Sequence, residues 1–174
     1  MPVPERRPTP APLLRPGETV VLYDGVCKLC NGVVRFLLRN DPQARLRLAT
    51  VQSPEGQALL AWAGLPQQHF NTVAVIRDDQ VWVRSDAFFE LVPQLSSRWH
   101  WLKIFQYVPK AVRDAVYDLV ARHRYRWFGR YEHCQLPDAR DQGRFLKADP
   151  QAPCLPVAGH ARPDPAHGRC GDRQ

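Results

Sequence analysis

No stretch of this 174-residue chain runs for the roughly 18 uncharged apolar residues that a membrane-spanning helix needs, so no membrane span is expected. Its opening, MPVPERRPTPAPLLRPGE, carries arginines and prolines but no apolar h-region, so it does not read as a secretory signal. Five cysteines are an odd number, and a fully paired disulfide framework cannot form within one chain. A second Cys-x-x-Cys is missing, as is any His-x₃-His, and with them the strong zinc pattern. Haem attachment requires a histidine directly after the second cysteine of the pair, where Asn31 stands. No nucleic-acid motif accompanies the net charge of +7, so the charge implies weak attraction to polyanions rather than dedicated nucleic-acid binding. No internal repeat is visible. With neither a secretory signal nor a membrane span read from the sequence, the expected compartment is the cytoplasm, where thiols are mostly kept reduced. There a Cys-x-x-Cys serves catalysis or metal binding more readily than it serves as a staple.

What is present has the length and the 44% apolar content of a single globular domain. Residues 1–17 are proline-rich and read as a disordered leader. ETVVLYD (18–24) is an apolar, β-branched run suited to a buried strand, and Asp24-Gly25 marks the turn after it. A helix follows from about Cys27 to Asn40, with Val33, Val34, Leu37 and Leu38 at helical spacing, and Asp41-Pro42 ends it. ARLRLATV (44–51) alternates as a second strand. Ser53 as N-cap, Pro54 at the first helical position and Gly64 at the left-handed exit punctuate the next helix. TVAVIR (72–77) and VWVR (81–84), joined by Asp78-Asp79-Gln80, predict an antiparallel hairpin. SDAFFELVPQL predicts a helix capped by Ser85 and ending near Pro93. A last helix is expected over roughly 109–129, between Pro109 and Gly129. Its stripe of Val112, Val116, Leu119, Val120, His123 and Trp127 is expected to pack inward. From 136 onward periodicity is lost, which predicts a disordered tail after a domain over 18–135.

A βαβ crossover, then a hairpin and a helix, implies an α/β fold: a thioredoxin-like mixed sheet flanked by helices, with an extra C-terminal helical segment. Cys27 falls at the carboxyl end of the first strand, the edge where such sheets do their chemistry. A redox dithiol needs one thiolate to attack and a second thiol to resolve the mixed disulfide. The helix N-terminus and Lys28 favour Cys27 as that thiolate, and Cys30, one turn in, as the resolving thiol. Asp24 opposes a neighbouring thiolate if ionised, or relays a proton for Cys30 if partly buried; the relay is the favoured role. The competing assignments are two small core residues, or a zinc-stabilised binding module completed by His133 and Cys134.

The blocks YDGVCKLCNGVVRFLLRND, RLATVQSPEGQALL, VWVRSDAFFELV, RDAVYDLVARHRYRWFGR and a following C-x-L-P at Cys134 occur in order. In these the chain resembles the DCC family of predicted thiol-disulfide oxidoreductases over about residues 19–137. The resemblance implies a thioredoxin-like fold and matches the Asp and two Cys of the family motif to Asp24, Cys27 and Cys30. It matches Cys134 to the family's later cysteine, a possible additional redox thiol. It implies thiol-disulfide exchange with a protein or glutathione-like thiol and needs no organic cofactor, since the sulfurs carry the electrons. Thioredoxin itself has a cis-proline before the third strand, where this chain has Phe70, Asn71 and Thr72. That departure implies an altered peptide groove. Lys28, Arg122, Arg126 and Trp127 are the candidate substrate-binding residues. Arg122, Arg126 and Arg130 recur every four positions, a spacing at which like charges repel unless an anion joins them.

Overall fold

The computed structural model describes residues 5–68, 70, 72–132 and 141–146. Its sheet has five strands, β1 (Glu5–Arg6), β2 (Thr19–Tyr23), β3 (Leu46–Thr50), β4 (Ala74–Arg77) and β5 (Gln80–Val83), in the order β1-β5-β4-β2-β3. β2 and β3 run parallel, as a crossover through helix α1 (Lys28–Asn40) requires, and the other pairings are antiparallel. This is the thioredoxin-like mixed sheet expected from the element order.

Alternation along β2 divides the core in two. Val21 and Tyr23 face one side, with Leu46, Leu48, Val75, Leu37 of α1 and Leu91 of α3 (Arg84–Leu91). Val20 and Leu22 face the other, with Ala49, Ile76 and the α2 residues Leu59 and Leu60 (α2, Pro54–Trp62). Both faces of the strand are therefore buried, which explains its unbroken apolar run. Each fully buried leucine here contributes roughly 1.5–3 kcal/mol. Ser53 caps α2 by accepting from the Gly56 N–H at 3.1 Å, and Gly64 leaves it at φ +62°. Gly56 is obligatory for close packing, because a Cβ there would lie 2.0 Å from the Thr50 carbonyl oxygen. The β4–β5 hairpin closes in two residues, with Asp78 at φ +54°.

Three expectations are corrected. Ser85 is not the cap of α3. Arg84, at φ +57°, makes the sharp passage from β5 with Val83 at the N-cap, and the Ser85 hydroxyl donates to Asp114. Residues 5–17 are not a loose leader: β1 pairs with β5, Ala11 is buried and Thr9 accepts from the Trp62 indole at 3.2 Å. In the segment expected to be disordered, residues 141–146 run along β3, with Leu48 and Phe145 bridged and Arg144 paired with Asp41. The 3₁₀ segment Ser97–Tyr107 has no counterpart among the expected elements.

The largest difference concerns α4 (Lys110–Phe128). Most of its apolar stripe faces outward, with Val112, Val116, Leu119 and Trp127 exposed and Trp127 stacked on His123, while Val120 lines a cavity beside Cys30. The inward face mixes polar anchors with Val120 and Ala121. Lys110 and Arg113 pair with Asp86, Tyr117 meets Thr72 and Val73, and Arg124 is buried. Among the described residues no helix is long and apolar enough to cross a membrane.

Candidate active site

The turn between β2 and α1 leaves Cys27 in an extended conformation (φ −80°, ψ 121°) as the N-cap of α1. Its sulfur takes the place of a capping oxygen and accepts the Cys30 N–H at 3.3 Å. Asn31, buried one turn in, donates to the carbonyls of Gly25 (2.8 Å) and Cys27 (2.9 Å) and so fixes the turn that carries the first sulfur. No acidic residue lies in the first turn of α1 to oppose a thiolate there.

The two thiols are driven apart in acidity. The Cys30 thiol donates to Cys27 and, with the Cys30 N–H and the Arg124 charge, lowers the Cys27 pKa to about 6 against the opposing effects of burial and Asp24. The same thiol–thiolate hydrogen bond pushes the Cys30 pKa well above the usual thiol range, and burial and the Cys27 charge add to it. One sulfur is thus the thiolate and the other holds the proton.

Behind the dithiol lies a buried polar cluster. The Asp24 carboxylate accepts from the Val26 N–H (3.1 Å) and Gln52 (2.8 Å) on Oδ1, and from Arg124 (3.2 Å) and the Tyr125 hydroxyl on Oδ2. Gln52 closes the ring by accepting the Gly25 N–H at 3.0 Å. Arg124 also donates to the Tyr125 hydroxyl at 2.8 Å and lies over that ring. Burial and the bond to Asp24 raise the Tyr125 pKa, so the phenol remains a donor. Asp24 and Arg124 are each about 5% exposed at the side chain, so the pair is held by its hydrogen bonds and not by solvent. Cys30 and Arg124 both line a cavity of about 140 Å³ with Thr72, Tyr117, Val73 and Leu29.

Cys27 is itself 0% exposed. The chain leaving α4 crosses it: Lys28 donates its N–H to the Gly129 carbonyl (3.4 Å), Tyr131 donates to the Val26 carbonyl (2.8 Å), and Arg130 sits opposite Cys27 as an antiparallel bridge. Gly129, at φ +80° and ψ −179°, makes the turn that permits this.

The structure brings Asp24, Cys27, Cys30 and Lys28 together. Lys28 lies over the Tyr131 ring and, with Leu29, Val33, Phe88 and Phe128, lines an apolar groove. It does not bring in Arg122, Arg126 or Trp127. Each is exposed, and a two-residue offset from the buried Arg124 turns Arg122 and Arg126 to the opposite side of α4. Arg122 bonds the Asp118 backbone carbonyl, while the Asp118 side chain pairs with Arg84. Arg130 leaves the expected arginine strip because α4 ends at Phe128. Asn31, Gln52 and Arg124 are site residues that motif and periodicity did not single out. A signal for Arg124 was available: Tyr117, Val120, Ala121 and Phe128 stand 7, 4 and 3 residues before it and 4 after, which centres a charge on a second half-apolar face. His133 and Cys134 lie outside the described residues, and among the described residues no cluster of three His, Cys, Asp or Glu could hold a metal.

The DCC1-like thiol-disulfide oxidoreductase family matches residues 21–130. The chain is 42% identical over 127 residues to the uncharacterized protein YuxK of Bacillus subtilis, covering 73% of this chain and 93% of that one. It is 34% identical over 118 residues to a chloroplastic DCC family protein of Arabidopsis thaliana, covering 67% and 69%. No solved structure gives a significant match.

Proposed function

The chain belongs to the DCC1-like thiol-disulfide oxidoreductase family, and from that premise we propose that it exchanges two electrons between its Cys27–Cys30 dithiol and a thiol or disulfide substrate in the cytoplasm. The observation that carries the proposal is the Cys27 sulfur at the N-cap of α1, accepting the Cys30 N–H at 3.3 Å, a placement that favours thiolate at Cys27 and the proton at Cys30. Cys27, as thiolate, attacks a substrate sulfur and displaces the other as thiolate. Cys30 then gives up its proton to the departing thiolate and attacks the Cys27 sulfur. The second substrate sulfur leaves, and the protein holds the 27–30 disulfide. A low-molecular-weight thiol or a partner dithiol returns the electrons.

Asp24 tunes this step. Four donors fill the roughly four acceptor sites of its carboxylate, which supports a positioning role for it over the proton relay expected from the sequence. Its part is to fix Arg124 beside the sulfurs, where the guanidinium favours thiolate. Lys28 is a substrate contact at the rim of the groove, whereas Arg122, Arg126 and Trp127, on the outer side of α4, take no part in the exchange.

Titrating the protein in glutathione redox buffers, alkylating and reading the 27–30 pair by mass tests this. Reversible two-electron formation of that disulfide is the expected result. Thiols that stay unmodified across the whole range, or that react only after a chelator is added, would refute it.

A further inference from the structure

Extended backbone at a helix N-cap leaves groups that need partners. The Lys28 N–H is one of the donors that no helix satisfies internally, and the Val26 carbonyl points to the same side. Both are taken by Gly129–Tyr131, and the two hydrogen bonds flank the Cys27–Arg130 pair instead of joining it. Such a pair is the narrow one of an antiparallel ladder, with Cα atoms about 4.5 Å apart and side chains at their closest. A disulfide spans Cα separations of about 4.4–6.8 Å. A cysteine at the position of Arg130 therefore lies within bonding reach of the Cys27 sulfur. On the far side of the site the equivalent chance is lost, because the Val73 N–H already donates to the Tyr117 hydroxyl at 2.8 Å.

We propose that the Val26–Lys28 edge is the docking edge for an extended polypeptide substrate, and that Gly129–Tyr131 is an internal stand-in for it, displaced when a substrate cysteine takes the place of Arg130. This rests on the dithiol exchange proposed above and names its substrate class as a disulfide within an extended chain. The incoming strand runs antiparallel to Val26–Lys28. The residue before its cysteine accepts from the Lys28 N–H, and the residue after donates to the Val26 carbonyl. Cys27 thiolate bonds to the substrate cysteine sulfur facing it, and the sulfur formerly paired with that cysteine leaves as thiolate. Cys30 then resolves the mixed disulfide as before, so one substrate disulfide becomes two thiols and the protein gains one disulfide.

The full-length Cys30→Ser protein stops at the mixed disulfide and allows a direct test. It is mixed with short peptides whose central cysteine is activated as a glutathione mixed disulfide, and adducts at Cys27 are counted by mass mapping. N-methylation of the residue after the cysteine removes the donor to Val26 and slows trapping about five-fold, the worth of one net hydrogen bond. N-methylation of the cysteine itself, whose N–H points away in a narrow pair, leaves the rate unchanged. Tyr131→Pro deprives the stand-in of its own donor and speeds trapping of every peptide several-fold. Equal rates for the two methylated peptides, or a Tyr131→Pro protein no faster than its parent, would overturn the docking edge. Glutathione disulfide added to the parent protein separates the two readings. If it closes the 27–30 bond while the peptides fail to discriminate, only the docking edge falls. If it leaves both thiols free, the dithiol exchange falls first.

Discussion

Replacing Cys30 by alanine removes the largest influence on Cys27, the thiol hydrogen bond that lowers its pKa to about 6. With that bond gone the pKa climbs toward the unperturbed value of about 8.5. At pH 7 the thiolate fraction would then fall from about 0.9 to as little as about 0.03, roughly thirty-fold. Reactivity does not fall as far. A more basic thiolate is a better nucleophile, and a Brønsted slope of about 0.4–0.5 over 2.5 units returns roughly ten-fold. The net loss at pH 7 is only about three-fold, the curves cross near pH 7.5, and above pH 9 the variant is roughly ten times faster. The shift in midpoint, not the rate at one pH, is therefore the measurement. Iodoacetamide modification of Cys27, followed by mass from pH 4 to 10, gives that midpoint. The cover over Cys27 multiplies all rates by one opening factor and leaves the midpoint unmoved. A midpoint that stays near 6 in the alanine variant would refute the reasoning. Acidity would then come from the helix terminus and Arg124 alone.

Three further outcomes are expected. Arg124→Met strands the Asp24 carboxylate in the core and costs about 3–5 kcal/mol in urea unfolding, while Asp24→Asn with Arg124→Met costs less than the sum of the single changes; additive costs would show that the two groups do not depend on each other. The depressed Cys27 pKa stabilises the reduced protein, fully above the unfolded thiol pKa of about 8.5 and no longer once pH has fallen through about 6. Because Cys30 keeps its proton across that range, the reduction potential should change by about 30 mV per pH unit above pH 6 and by about 60 mV below it; a steep slope up to pH 8 would mean both thiols are protonated there. Gly56→Ala should cost about 3 kcal/mol or more in chemical denaturation, because the added methyl meets backbone and not a movable side chain. An unchanged midpoint would mean α2 can shift freely on β3.

Much of the sheet was legible because its signals are local. The apolar run of β2, the Ser53-Pro54 start, the Gly64 exit and the two-residue hairpin each depend on residues a few positions apart. The dithiol was legible for the same reason, since its turn, helix start and sulfurs fall within eight residues. The cluster that tunes it was not, because Asp24, Gln52 and Arg124 come from three parts of the chain and meet only after folding. Periodicity misdirected the assignment of α4. Val112, Val116, Leu119 and Trp127 dominate the clearest stripe, yet the helix turns toward the sheet the side that carries Tyr117, Val120 and Arg124. Ser85 misled for a related reason. A serine at a helix start reads as a cap, but Asp114 on a distant helix offers it another partner.

An outward apolar stripe has a thermodynamic consequence. α4 is fastened by ion pairs and hydrogen bonds at Asp86, Val73 and Asp24, while Val112, Val116, Leu119 and Trp127 are exposed whether it is docked or not. Lifting it away uncovers the lining of the cavity beneath it, including Val34, Leu37 and Leu91, but nothing from the stripe, so its heat-capacity change and denaturant response stay below those of a helix docked by an apolar face. It forms a cooperative unit of its own, able to detach while the apolar layer on the α2 side of the sheet remains intact. In amide exchange the strap at Gly129–Tyr131 and the start of α1 should share this opening, with protection that declines as salt screens the more exposed ion pairs, such as Lys110 with Asp86 and Asp114. The reactive sulfur thus lies under the segment whose hold depends on ionic conditions, and solvent can reach it without global unfolding.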